Sequence, residues 1–149
     1  MISRCFIICV IIKYVSSFNQ KKRSMSQQKK VLVVDDEKVL LELLLSKMKQ
    51  AGFAAVGARD GDEGLQKALD EHPDLILLDI IMPKMDGITM LKKLREDAWG
   101  RTATVIVLSN LNTAEMVEKS LENGVYDYLV KVDYSLDDLV AIVKKKLGA

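Results

Sequence analysis

The sequence predicts an α/β fold: a doubly wound, five-stranded parallel sheet with five helices spread over its two faces. Three observations predict it. Continuous apolar runs such as Val31-Leu32-Val33-Val34 and Leu75-Ile76-Leu77-Leu78 read as strands buried on both faces. Segments of helical apolar period lie between such runs, and most carry a cap or a stop signal. Strict alternation of the two requires right-handed crossovers, which place helices on both sides of one sheet.

The first strand opens after Lys29 and stops at Asp35-Asp36. In the following helix Val39, Leu40, Leu43, Leu44 and Met48 recur at helical spacing, and Gly52 is the expected C′ residue. Phe53 to Ala58 is the second strand, and Gly61 to Glu71 is a helix with Leu65, Ala68 and Leu69 on one face, ending before Pro73. Asp74 to Asp79 forms the third strand. A loop from Ile80 to Met85, containing Pro83, leads to Asp86 and Gly87, which open a helix carrying Ile88, Leu91 and Leu94. Thr104 to Leu108 is the fourth strand. The next helix is expected to be capped by Thr113, to run through Asn123 with Glu115 and Glu118 near its positive end, and to stop at Gly124. Val125 to Val130 is the fifth strand. Ser135, with Asp138 three residues on, opens a last helix whose Leu139, Ile142, Val143 and Leu147 face inward while Lys144 to Lys146 sit at its C-terminal end.

The chain has 149 residues, 49% hydrophobic and 29% charged, with a formal net charge of +1. This composition suits one globular domain with a core and excludes collagen, long disorder and a polytopic membrane protein. The charge is unevenly placed. Residues 1–24 hold Arg4, Lys13, Lys21, Lys22 and Arg23 and no acid, so the part from Met25 onward carries 17 basic against 21 acidic side chains, a net −4. That balance disfavours non-specific nucleic-acid binding by the folded part. Both cysteines, Cys5 and Cys9, also lie in the leader, so the domain has neither a disulfide framework nor a cysteine metal site, and a reducing compartment suits it. The apolar run Cys5 to Ile12 is too short to span a bilayer, and no small-x-small cleavage site follows it. Residues 1–24 are therefore expected to be an upstream extension of the reading frame outside the fold, with Met25 as the alternative start and residues 25–149 as the domain.

In an open parallel sheet, ligands bind beyond the carboxyl ends of the strands, where the strand order reverses. Those ends here are Asp35-Asp36, Asp79, Ser109-Asn110 and Lys131. Each also has a plain structural role open to it: Asp35 or Asp36 capping the first helix, Asp79 starting a turn, Ser109 satisfying loop backbone, Lys131 lying in solvent. Together, three acids held close raise one another's pKa unless a cation neutralises them, and an all-oxygen site suits a hard divalent ion, Mg²⁺ above all.

These residues resemble the receiver domain of bacterial two-component response regulators. The resemblance covers about residues 29–147 and rests on Val33-Val34-Asp35-Asp36-Glu37, on Leu77 to Gly87 (Leu-Leu-Asp-Ile-Ile-Met-Pro-Lys-Met-Asp-Gly), on Ser109 and on Lys131. It implies a flavodoxin-like sheet of order 2-1-3-4-5. It also implies a phosphoprotein of the phosphorelay: Asp79 as the phosphoacceptor that becomes an aspartyl phosphate, taking the group from a histidine kinase or a phosphotransfer protein. Asp36 and Asp79 would bind Mg²⁺ directly, Asp35 would help directly or through water, and the backbone carbonyl of Ile81 would be a further ligand. Lys131 and the Ser109 hydroxyl would hold phosphoryl oxygens, while Pro83 and Gly87 shape the loop. In the implied switch, Ser109 moves toward the phosphoryl group and Tyr128 turns in. This changes the face of helix four, strand five and helix five that meets a downstream protein, with a phosphorylation-dependent dimer among the outcomes allowed. The resemblance implies a cytoplasmic, stand-alone signalling module with no membrane or nucleic-acid contact, not an enzyme acting on other substrates.

The sequence departs from the family pattern at four positions. Val132 stands where proline is common, and a cis bond before it would cost about 2.5 to 4 kcal/mol, so trans geometry or a strained bond is expected. Asn110 replaces the usual small residue, which narrows access for small phosphodonors. Ile81 and Leu111, two residues after Asp79 and Ser109, are apolar and cannot position a water, so slow autodephosphorylation is expected. A parallel-sheet phosphatase using an aspartate nucleophile is a competing function, but it has a second acid where this chain has Ile81. A scaffold with a vestigial pocket is a third. No G-x-G-x-x-G or G-x-x-x-x-G-K-[ST] follows the first strand, against nucleotide binding. His72 is expected at the surface, Trp99 as a packing plug, and Met82, Met85 and Met90 as loop and core packing.

Overall fold

Each interior strand is apolar at consecutive positions because neighbouring residues supply opposite layers. The structure, a computed structural model, describes residues 28–110, 114–125 and 127–149. The expected leader, the Met25 start, the Thr113 cap and Leu111 lie outside the described residues. Five strands, β1 (Lys30–Val34), β2 (Ala54–Ala58), β3 (Leu75–Asp79), β4 (Val105–Ser109) and β5 (Asp127–Val130), pair in parallel in the order β2-β1-β3-β4-β5. The helices are α1 (Lys38–Gln50), α2 (Gly61–Glu71), α3 (Gly87–Glu96), α4 (Ala114–Glu122) and α5 (Leu136–Leu147), with single 3₁₀ turns at Gly100–Thr102 and Lys131–Asp133.

On one face Val31, Val33, Leu75, Leu77, Ile106 and Leu108 pack with Leu41, Leu44 and Met48 of α1 and with Leu139 and Val143 of α5. Leu32, Val34, Ile76, Leu78, Val105 and Val107 point to the opposite layer, against Ala68 of α2 and Ile88, Met90, Leu91 and Leu94 of α3, with Met116 of α4 packed alongside. The alternation of side chains along a strand thus makes two cores from one sheet.

The expected helical face of α1 is corrected. Val39 and Leu43 are 64% and 48% exposed, whereas Leu41 is buried. Apolar residues fill six of the seven positions from Val39 to Leu45, so periodicity alone does not fix which stripe meets the sheet. Four strands also begin later than expected, β3 and β4 by one residue at Leu75 and Val105, and β2 and β5 at Ala54 and Asp127. The Phe53 amide donates to the Met48 carbonyl (3.0 Å) and the Val125 amide to the Ser120 carbonyl (3.3 Å), so these residues still close the preceding helices. Gly52 and Gly124, with φ of 95° and 71°, are the left-handed residues of those closures. Ser135 and Asp138 form the expected capping box. α1 has no side-chain cap: its N-cap is Glu37.

His72 is exposed but not free in solvent, since its ring stacks on Trp99 with centroids 4.4 Å apart and 19° between planes. The bond before Val132 is trans, as no described peptide bond is cis. Among the described residues no helix is long and apolar enough to cross a membrane.

The two faces of α1 give a direct check. Urea denaturation of Leu41→Ala is expected to show a loss of about 2–4 kcal/mol, while Val39→Ala changes stability by less than about 0.5 kcal/mol. Equal losses would contradict the observed face.

Candidate functional site

The order β1-β3-β4-β5 brings four consecutive strand ends together at the carboxyl edge, beside the point where the chain crosses from β2 past β1 to β3. Asp79 is the last residue of β3 and Ser109 the last of β4, while Asp35 follows β1 directly and Lys131 follows β5. Asp35, Asp79 and Ser109 are buried and Asp36 is exposed.

Carboxylate oxygens of Asp35, Asp36 and Asp79 all lie within 4.8 Å of one another. The Lys131 ammonium sits between two of them, donating to Asp35 Oδ2 at 2.6 Å and lying 3.3 Å from Asp79 Oδ2. Asp35 is fixed further. Its Oδ1 accepts from the Glu37 amide at 2.9 Å, and its own amide donates to the Ala58 carbonyl of β2 at 3.0 Å. Asp35 therefore orients the start of α1 and the lysine at once, while Asp36 is the exposed member of the cluster.

Burial pushes the Asp79 carboxyl up to about 6, the nearby Lys131 charge pulls it down, and the Asp35 charge pushes it up again. The sequence-level expectation of mutual repulsion among acids is thus right in direction, but desolvation is the larger cause. Burial opposes the charge on Lys131 also. The hydrogen bond to Asp35 and the charges of Asp79 and Asp35 outweigh that effect and hold the ammonium above the usual lysine range.

The loop from Ile80 to Asp86 is built around close backbone contacts. The Gly87 amide donates to the Ile80 carbonyl at 2.8 Å. A Cβ on Gly87 would stand 2.2 Å from the Asp79 carbonyl oxygen, so only glycine lets α3 start this close to the acid. Asp86 caps α3, accepting from the Thr89 amide at 2.9 Å. Pro83 is exposed at the loop tip, and Lys84 after it takes a left-handed φ of 63°. Its ammonium reaches Asp60 Oδ2 at 3.1 Å, and Asp60 caps α2 through the Glu63 amide. The sequence reading missed this tie; the Asp60-Gly61 start of α2 was its only visible half. Met82 and Met85 are buried under the loop and Met90 in the core, as expected.

Ile81 is 53% exposed beside the acids. Asn110 is exposed and lines a groove of about 390 Å³ between α1 and α5, together with Leu43, Val132 and Tyr134. Tyr128 is half-buried, three residues before Lys131, opposite Val107 in register and packed on the α3 and α4 side of the sheet. The structure thus brings Asp35, Asp36, Asp79 and Lys131 into one cluster and places Ser109 on the adjacent strand end. The donor set, three carboxylates with one open to solvent, fits a small hard cation that keeps several waters.

The family model for the response regulator receiver domain matches residues 31–144. The transcriptional regulatory protein PrrA of Mycobacterium tuberculosis is 41% identical over 118 residues, covering 79% of this chain and 49% of PrrA. The receiver domain of the Francisella response regulator 1452 is 35% identical with a TM-score of 0.73, covering 81% of this chain and 98% of that one. A chain in the CheX-CheY-BeF3-Mg²⁺ complex of Borrelia burgdorferi is 31% identical with a TM-score of 0.71, covering 79% of this chain and 88% of that one. The chain spans about half the length of the curated relatives it matches.

The raised Asp79 carboxyl fixes the sign of a pH effect. It binds its proton more tightly folded than unfolded, so its contribution to stability is full below about pH 4 and is lost as pH rises through about 6. Without Mg²⁺, Asp79→Asn is expected to exceed the wild type in stability by about 1–3 kcal/mol near neutral pH and to match it below about pH 4. Thermal unfolding across that range checks this, and added Mg²⁺ is expected to raise the wild type selectively. A constant difference at all pH values would contradict the assignment.

Proposed function

The chain belongs to the response regulator receiver family, and from that premise we propose that it accepts a phosphoryl group on Asp79 from the phosphohistidine of a kinase or phosphotransfer protein. The observation that carries this reading is the placement of Lys131 between two buried carboxylates beside an exposed third. One Asp79 carboxylate oxygen attacks phosphorus, the bond from phosphorus to the histidine nitrogen breaks, and the imidazole leaves with that electron pair and takes up a proton. The product is an acyl phosphate on this chain.

Mg²⁺ held by Asp36, Asp79 and the Ile81 carbonyl, with Asp35 supporting it, would offset charge on the transferring oxygens. The similar chain in the Borrelia burgdorferi complex with BeF3 and Mg²⁺ supports that part of the reading. Lys131 and the Ser109 hydroxyl hold the remaining phosphoryl oxygens. The Asp35 hydrogen bond keeps the lysine aimed at them before the group arrives, so little reorganisation is needed during transfer. Pro83 and Gly87 shape the acceptor loop. Ile81 offers no group to orient an attacking water, which favours a long-lived phosphoryl state over the phosphatase reading.

Output follows from a shift between two conformations. Ser109, drawn to the phosphoryl group, carries the segment after β4 inward, and Tyr128 turns toward the space left. The face of α4, β5 and α5 changes and is read by a protein partner. The acidic balance of residues 25–149 argues against direct nucleic-acid contact by this part of the chain, and a cytoplasmic setting is the one we propose.

Incubation with Mg²⁺ and a small acyl phosphate or a phosphorylated kinase, followed by intact mass, is expected to give one stable phosphoryl adduct, absent from Asp79→Ala. Lys131→Met should form it about 10²-fold more slowly. Continuous release of inorganic phosphate would favour a hydrolase, and no adduct under any donor would leave a scaffold. Loss of the group within seconds would contradict the assigned effect of Ile81.

A further inference from the structure

The turn that joins β2 to α2 lies against both halves of the acid site, outside the three carboxylates that form it. On one side the Ala58 carbonyl, at the end of β2, accepts from the Asp35 amide at 3.0 Å. On the other, Asp60 Oδ2 accepts from the Lys84 ammonium of the acceptor loop at 3.1 Å, while Asp60 Oδ1 accepts from the Glu63 amide at 2.8 Å and caps α2. The next residue, Gly61, lies so close to the loop that a Cβ there would stand 2.5 Å from the Met85 carbonyl oxygen and 2.9 Å from Met85 Cβ. The turn is also held from behind. Glu63 accepts from the Arg59 amide at 2.9 Å and from the Lys67 ammonium at 2.6 Å, and Lys67 donates as well to the Gly57 carbonyl at 2.6 Å.

Lys84 reaches this turn from a left-handed backbone, with φ of 63°, a conformation that glycine or asparagine adopts at less cost. What lysine adds at that position is a long cationic arm that spans to Asp60. The side chain of Asp60 is the more enclosed partner, 16% exposed against 70% for Lys84. The Glu63 amide, and after it the Lys84 hydrogen bond, hold the Asp60 carboxyl below the usual carboxylate range, so it offers the lysine a charged and fixed partner.

We infer that Asp60 and Lys84 are positioning residues for the cation site: their ion pair braces the loop that carries the Ile81 carbonyl against the turn that also holds Asp35, before a divalent cation binds. This rests on the proposed reading of the Ile81 carbonyl and the acids as Mg²⁺ ligands. A loop that is already fixed loses less conformational freedom when an ion is bound, so the pair strengthens binding without touching the ion. The charges themselves act differently through space, the Lys84 cation repelling Mg²⁺ and the Asp60 anion attracting it. Substitution separates the two effects. Cutting the pair from either side loosens the loop alike, whereas removing one charge or the other moves the local potential in opposite directions. An exposed pair of this kind supplies a factor of about 3 in an equilibrium constant.

Calorimetric titration of Mg²⁺ into the full chain tests this, with wild type set against Asp60→Asn, Lys84→Asn and the double variant. Asparagine at position 60 keeps an acceptor for the Glu63 amide, and asparagine at position 84 suits the left-handed backbone, so the helix cap and the loop geometry are retained. Each single variant is expected to bind Mg²⁺ about 3-fold more weakly, and the double variant no more weakly than either single one. Lys84→Arg, which keeps the charge and the reach, is expected to bind close to wild type. Amide hydrogen exchange over residues 80–87 in the metal-free protein is expected to quicken in both single variants. Affinity raised by Lys84→Asn and lowered by Asp60→Asn would show a through-space effect of charge and overturn the brace. Unchanged affinity or unchanged exchange in both variants, or losses that add in the double variant, would overturn it as well. A wild type without Mg²⁺ binding that Asp36→Asn removes would instead overturn the cation site beneath it.

Discussion

Two buried carboxylates cannot share the end of an apolar sheet without a cation, and in this chain that cation is Lys131. Its ammonium bonds Asp35 at 2.6 Å and lies 3.3 Å from Asp79. Removing one partner of such a buried set leaves an uncompensated charge, so the cluster constrains what surrounds it. Asp35 in turn receives the Glu37 amide and donates its own to Ala58. The entry to α1 and the end of β2 are thus registered on the same residue, the first through its carboxylate and the second through its backbone amide. Even so, Asp79 is left with its carboxyl raised to about 6 by burial. A buried acid whose charge is only partly compensated is strained toward accepting a proton, a cation or a covalent group that reshapes its charge.

Much of this was legible in the sequence because the constraint acts on residue type. A strand buried on both faces must be apolar at consecutive positions, so β1, β3 and β4 announce themselves, and the polar residues that end them stand out against that background. Asp35, Asp79 and Ser109 stand out for this reason, whereas Lys131 follows the half-buried β5, and the resemblance then supplied the roles and the sheet order. Less was legible where backbone atoms are the partners. Nothing in the sequence marks the carbonyls of Gly100, Ala103, Asn123 and Gly124 as acceptors for Arg95, and the Ala58 carbonyl is equally silent. The face of α1 was ambiguous for a different reason: with Leu40, Leu41, Leu43, Leu44 and Leu45 in one helix, several stripes are apolar, and only docking against the sheet selects one.

The two ends of the molecule divide the work. At the carboxyl edge the acid cluster and the glycine-dependent start of α3 surround Asp79, and Lys84 ties the acceptor loop to Asp60. At the opposite edge Arg95 fastens two turns, and His72 stacks on Trp99.

The most direct test of the central claim, that Lys131 and the three aspartates form a prearranged phosphoryl site, is a crystal structure of the chain with Mg²⁺ and beryllofluoride. The proposed function predicts beryllofluoride on an Asp79 oxygen, Lys131 Nζ within hydrogen-bond distance of a fluoride, and Mg²⁺ on Asp36, Asp79 and the Ile81 carbonyl. Density for the mimic on another acid, or Lys131 turned away from an occupied Asp79, would contradict it.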